Sequence, residues 1–139
     1  MQVHLQTPEE TIAFGRKLAK ELPKQSVICF SGDLGAGKTT LIKGLVAGAL
    51  DYPEEQVSSP TFVYLHIYEG KEDKKVCHFD LYRLQDSEEF FTMGFDEYCG
   101  TETLTCIEWP ERIKGAIPKN AIWITLSGTD EGGRLAQIH

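Results

Sequence analysis

The sequence predicts an α/β fold of three layers, a mixed parallel and antiparallel sheet flanked by helices. Three observations carry that expectation. Strand-like and helix-like runs alternate along the chain; one short apolar run feeds a glycine-rich loop and then a helix; later strand-like runs are joined by turn-forming stretches.

The elements follow in order. "TPEETIAFGRKLAKEL" opens with Thr7 at an N-cap, Pro8 at the first helical position and Glu10 three residues past the cap, so a helix should run to Leu22 and stop at Pro23. "SVICF", Ser26 to Phe30, suits a buried strand. After the glycines, Leu41, Ile42, Leu45, Val46, Ala49 and Leu50 recur at helical spacing until "DYP". "TFVYLHIY" and "KVCHFD" read as an antiparallel pair joined by the polar stretch "EGKEDKK". "DSEEFFTMG" is a short capped helix and "LTCIE" a buried strand. "AIWITL" and "RLAQI" are late strands around the turn "SGTDEGG".

A length of 139 residues suits one domain spanning 1–139, with no internal repeat or linker. The formal charge is −7, which makes the surface as a whole repel a phosphate backbone; direct binding to DNA or RNA is not expected. Cys29, Cys77, Cys99 and Cys106 are scattered without zinc-site spacing, and as reduced thiols they fit a cytoplasmic protein. The first twenty residues lack an apolar signal core. The longest uncharged apolar run, Gly44 to Leu50, is too short to cross a bilayer, so no membrane segment is expected.

The chemistry concentrates in "SGDLGAGKTT", Ser31 to Thr40. Gly32, Gly37, Lys38 and Thr39 match G-x-x-x-x-G-K-[ST] between a strand and a helix, the context that makes this spacing a phosphate loop. Polyanionic phosphates need many donors at close range. Gly35, Ala36 and Gly37 leave room for main-chain N–H groups to turn inward, and the following helix adds the positive end of its dipole. Lys38 is placed for the β and γ phosphates, the Thr39 hydroxyl for Mg²⁺, and Thr40 for the α phosphate.

Hydrated Mg²⁺ also needs acidic acceptors. Asp80 closes "VCHFD" and Glu108 closes "TCIE", each at a strand end facing the phosphate crevice. One would orient the metal's water and the other the attacking water, and the sequence leaves open which does which. Thr61 in "SSPTF" is either a γ-phosphate sensor or part of a turn. His66 and His78 fall within strands and read as structural.

"GDLGAGKTT", "SPTF", "HFDLYRL" and "EWPE", in that order and across nearly the whole chain, resemble the bacterial TsaE-type ATPases of tRNA threonylcarbamoyladenosine biosynthesis. The resemblance implies a P-loop NTPase-like fold. It also implies a Mg²⁺-dependent ATPase that acts with a TsaB/TsaD-like protein complex and meets tRNA only indirectly. Its nucleotide loop maps to Gly35, Ala36, Gly37, Lys38, Thr39 and Thr40, its Walker B-like acid to Asp80 and its metal-linked acid to Glu108. Thr11 and Arg134 match positions placed near the nucleotide. Trp109 matches the motif tryptophan, which is either a packing aromatic or a nucleotide or partner contact.

A small-molecule kinase is the alternative, but kinases of that type clamp the moving phosphate with lid arginines. Only Arg16, Arg83, Arg112 and Arg134 are present, with no arginine-rich insertion. No guanine-reading N-K-x-D or T-K-x-D stretch occurs, which favours ATP over GTP, and no L-S-G-G-Q stretch supports a transporter ATPase.

Overall fold

The computed structural model describes residues 1–33, 35–51, 64–70, 72, 74–98 and 104–139. Strand β1 (Gln2–Leu5) leads into helix α1 (Pro8–Glu21), then β2 (Val27–Ser31) and α2 (Lys38–Leu50). The hairpin β3 (Leu65–Glu69) and β4 (Lys75–Asp80) precedes α3 (Ser87–Thr92), β5 (Leu104–Glu108), β6 (Ile122–Gly128) and β7 (Arg134–Ile138). Two 3₁₀ segments, Phe95–Tyr98 and Pro110–Ala116, complete the described elements.

The helix starts are built as their sequences require. Thr7 Oγ1 accepts from the Glu10 amide at 3.1 Å, and Glu10 answers by accepting from the Gln6 amide at 2.6 Å. Asp86 and Glu89 repeat the arrangement at α3, with Asp86 accepting from the Glu89 amide and Glu89 from the Gln85 amide. Helix α2 differs. Its N-cap is Gly37 in the left-handed region, with no capping side chain and no acid in its first turn.

The seven strands form one sheet in the order β1-β7-β6-β2-β5-β4-β3. The pairs β6/β2, β2/β5 and β5/β4 are parallel, and antiparallel pairs close both flanks. Side chains alternate across β2: Ile28 and Phe30 join the core under α1 and α2, whereas Val27 and Cys29 join the core that contains Phe90 of α3 and Ile113 of the second 3₁₀ segment. Helices on both faces make the three layers expected. Among the described residues no helix is long and apolar enough to cross a membrane.

Strand β1 was not foreseen from the sequence. Its four residues lie at a sheet edge and pair only with β7, so the order comes from a partner more than 130 positions away in the chain, as Gln2 opposite Gln137 illustrates. The two 3₁₀ segments were likewise unforeseen. Strand β3 is described from Leu65; residues 61–63, including Thr61, lie outside the described residues, as does Cys99. Cys29, Cys77 and Cys106 are buried and in no disulfide, and burial pushes the Cys106 thiol well above its usual range.

Helices α1 and α2 meet at main-chain distance. A Cβ added at Gly15 would lie 2.6 Å from the Leu41 carbonyl oxygen, and one at Gly48 2.7 Å from that of Arg16. At Gly44 it would collide with the Ile12 carbonyl. Three glycines thus form a seam that lets the two helices close on one another.

Candidate functional site

The loop leaves β2, the central parallel strand, at its carboxyl end. There its neighbours lead away to opposite sides, β5 and β4 to one and β6 and β7 to the other. Gly32 has φ +137° and Gly37 φ +101°, both in the region that favours glycine, and a Cβ on Gly32 would strike the Leu126 carbonyl. Gly35, at φ +81°, has nothing within 4 Å of where its Cβ would be. The loop is therefore held against β6 at its entrance and open at its crest.

Just past this crest, the uncapped start of α2 presents N–H groups that lack intrahelical partners. An aspartate or serine cap would satisfy one of them; a left-handed glycine leaves them for an anion. This donor set suits phosphate.

Lys38 is buried, 5% exposed, with Nζ donating to the Gly32 carbonyl at 2.7 Å and lying 4.0 Å from the centre of the Trp109 ring. Trp109 has φ 62° and ψ 50°, a left-handed conformation that costs a bulky residue on the order of 1–2 kcal/mol. That turn follows Glu108 directly. The Tyr82 ring lies against Trp109, with centroids 5.0 Å apart. "EWPE" thus places an aromatic plate over the loop's ammonium group.

The two acids lie side by side. Phe30 of β2, Glu108 of β5 and Asp80 of β4 occupy one lateral row at the carboxyl ends of three parallel strands. Val76 and Cys106 on the same strands pack in the core beneath α1 and α2, and period-two alternation puts Asp80 and Glu108 on that face too. Glu108 is buried, and His78 Nε2 lies 2.7 Å from its Oε2. Asp80 is half-buried and Oδ1 accepts from the Tyr82 amide at 3.2 Å. Burial, and then the Glu108 charge, raise the Asp80 carboxyl above its ordinary range; the Tyr82 N–H, His78 and Lys38 oppose the rise. Paired acids at adjoining strand ends are a donor set of the kind that accepts the waters of hydrated Mg²⁺. Among the described residues there is no cluster of three or more His, Cys, Asp or Glu that would form an all-protein metal cage.

A raised carboxyl pKa has a definite consequence. The native state takes up the proton more readily than the unfolded chain, so stability contributed by Asp80 is greatest below the unfolded value and declines as pH rises through the folded one. Asp80→Asn should therefore raise the melting temperature of nucleotide-free protein at pH 7 by about 1–3 °C. The advantage over wild type should fade below about pH 4. Paired melting curves at the two pH values check both statements; a lower melting point for the variant at pH 7 would contradict them.

Thr11, Gly37, Thr40 and Arg134 come together around a hollow of about 110 Å³, with Thr7 and Gly133 also in its wall. Thr11 is buried on α1, its hydroxyl donating to the Thr7 carbonyl at 3.3 Å. Arg134 Nη1 donates to the Gly133 and Gly132 carbonyls and Nη2 to that of Gly35 at 3.1 Å. Its guanidinium ties β7 to the phosphate loop. A larger hollow, about 440 Å³, lies at the other end of the sheet by the C-termini of α1 and α2 and holds none of these groups.

The fold thus gathers Gly35, Ala36, Gly37, Lys38, Thr39 and Thr40 at one end of the sheet with Asp80 and Glu108, and places Thr11 and Arg134 beside them. The sequence places His78 in a strand as a structural residue, and the fold sets its ring against Glu108. Its position two residues before Asp80 was the available signal, since that spacing puts both on one face of a strand.

Comparison with known proteins gives a consistent result. Residues 5–136 match the family described as threonylcarbamoyl adenosine biosynthesis protein TsaE. The tRNA threonylcarbamoyladenosine biosynthesis protein TsaE of Haemophilus influenzae is 36% identical over 132 residues, which cover 91% of this chain and 82% of the relative. The protein of the same name from a Nostoc species is 38% identical over 144 residues, covering 99% and 84%. The crystal structure of Bacillus subtilis YdiB superposes with a TM-score of 0.76 at 26% identity, covering 99% of this chain and 83% of that one. Ordered motifs, fold and matches over nearly the full length agree: the chain belongs to the TsaE family.

Proposed function

We propose that this protein is a Mg²⁺-dependent ATPase that serves formation of the threonylcarbamoyl group on adenosine next to the anticodon of tRNA. It acts from the cytoplasm as one domain, through a partner complex of the TsaB/TsaD type. The observation that carries the reading is the uncapped start of α2 beside a buried lysine and paired acids, in a chain of this family.

The chain's own groups divide the work. Main-chain N–H groups from Gly35 to Thr40 receive the phosphates. Lys38 exchanges its Gly32 carbonyl for phosphate oxygen, gaining a charged partner for a neutral one. Thr39 would hold Mg²⁺ directly, with Asp80 and Glu108 receiving its waters; bound there, the ion supplies charge neutralisation at the β and γ oxygens. One of the acids also orients the attacking water. Thr11, Thr40 and Arg134 wall the space beside the loop.

Arg134 is held by three carbonyls, two from the turn before it and one from the phosphate loop, which suits bracing the loop better than reaching to a transferring phosphoryl group. Hydrolysis by the isolated chain should therefore be slow and should change when partners supply the missing contribution. Phosphate release measured with and without the partner proteins tests this, and equal, fast rates would overturn it. Transfer of the γ phosphate to a small-molecule hydroxyl instead of water would favour a kinase.

The acidic surface suits a protein that leaves tRNA to its partners. Isolated protein should bind tRNA weakly and with strong salt dependence, and tight binding in physiological salt would contradict the charge argument. A modification assay with every other component present tests the pathway role. Undiminished threonylcarbamoylation without this chain would remove it.

A further inference from the structure

We propose that His78 is a positioning residue for Glu108: its Nε2–H holds one carboxylate oxygen and thereby aims the other at the metal side of the crevice. The inference rests on the nucleotide and metal reading above and assigns a role to a side chain which that reading does not use.

The geometry is specific. Parallel pairing sets His78 opposite Cys106 and Asp80 opposite Glu108, so all four residues share the sheet face beneath α2. His78 reaches diagonally to Glu108 and makes a short contact, 2.7 Å from Nε2 to Oε2, with both side chains almost fully enclosed, 1% and 6% exposed. Among the described residues Glu108 Oε1 has no hydrogen-bond partner, and it is not among the fully enclosed atoms left without one. One oxygen is fixed and the other remains for the site.

The second ring nitrogen fixes the tautomer. Among the described residues, His78 Nδ1 is buried without a hydrogen-bond partner. A hydrogen on Nδ1 alone would be an orphaned buried donor, and would leave Nε2 facing a carboxylate oxygen with a lone pair. The Nε2–H tautomer avoids both. Packing alone does not call for histidine here, because Val76, Cys77 and Phe79 fill the neighbouring positions of β4 as enclosed apolar groups. A ring nitrogen facing a carboxylate at the metal side is the arrangement in which an outer histidine orients an inner acid.

The test uses Mn²⁺ and ADP with full-length protein, reading free Mn²⁺ by electron paramagnetic resonance. His78→Met removes the donor at similar volume, and His78→Gln returns an N–H near the Nε2 position. His78→Met should weaken Mn²⁺ binding in the ADP complex by about 10- to 100-fold, with His78→Gln much closer to wild type. ADP affinity in a chelator should stay nearly constant across all three. In a Glu108→Gln background, His78→Met should cause no further loss of Mn²⁺.

If wild type takes up Mn²⁺ with ADP and His78→Met matches it, or if His78→Gln is as impaired as His78→Met, the positioning role is wrong while the nucleotide site stands. If wild type takes up no Mn²⁺ with ADP, both readings fall. Nitrogen-15 NMR of histidine-labelled wild type needs no variant to fold: the His78 ring should be protonated at Nε2 and bare at Nδ1, and the opposite tautomer would overturn the proposal.

Discussion

Lys38→Ala is expected to remove ATP turnover, by at least about 100- to 1000-fold, the loss typical when one charge-stabilising donor is deleted from a dry site. The side chain is enclosed, so its ammonium faces phosphate with little competition from water. In the nucleotide-free protein its ammonium donates to a carbonyl and faces an aromatic ring, neutral partners that a triphosphate can displace. Truncation should therefore cost the variant little in folding and much in catalysis. Steady-state phosphate release and a melting curve on the same preparation separate the two. Retained turnover in a folded Lys38→Ala protein would overturn the site assignment.

Gly44→Ala is expected to give the largest loss of stability, about 3 kcal/mol, or a melting point lower by roughly 10 °C. Two effects compete. Replacing a mid-helix glycine by alanine favours the helix by about 0.8–1 kcal/mol. Against this, the new methyl would collide with the Ile12 carbonyl, a main-chain atom of α1 that moves only if the helices part. Overpacking wins, since separating α1 from α2 loosens the whole interface containing Leu18, Leu41 and Leu45. Gly115 is the control: it has open space around its absent Cβ and no positive φ, so Gly115→Ala should leave the melting point nearly unchanged. Equal melting points for Gly44→Ala and Gly115→Ala would refute the steric account.

What could be read from the sequence was local. Pro8 after Thr7, and Asp86 three residues before Glu89, fix helix starts by contacts within one turn, and those contacts are present. Gly37, Lys38 and Thr39 work through a loop and the helix that follows it, so their meaning lay in their spacing. Features made by distant segments were not visible. Nothing in "LTCIE" says that β5 inserts between β2 and β4, yet that insertion places Glu108 beside Asp80 and within reach of His78. "GLVAGAL" read as an apolar stretch, and only the approach of α1 shows that two of its residues must lack side chains. Trp109 gave no sequence signal for a left-handed backbone, because the sharp turn comes from the strand end before it and Pro110 after it. Thr11 and Arg134 were reached through family resemblance alone, since 123 positions separate residues that the fold sets around one hollow.

The seam between the first two helices has a further bearing on what the protein can admit. Thr11 rides on one of these helices and Thr40 on the other, so the close main-chain approach sets how far apart the two stand. Any group lodging there meets, on the helix side, a width set by that main-chain approach.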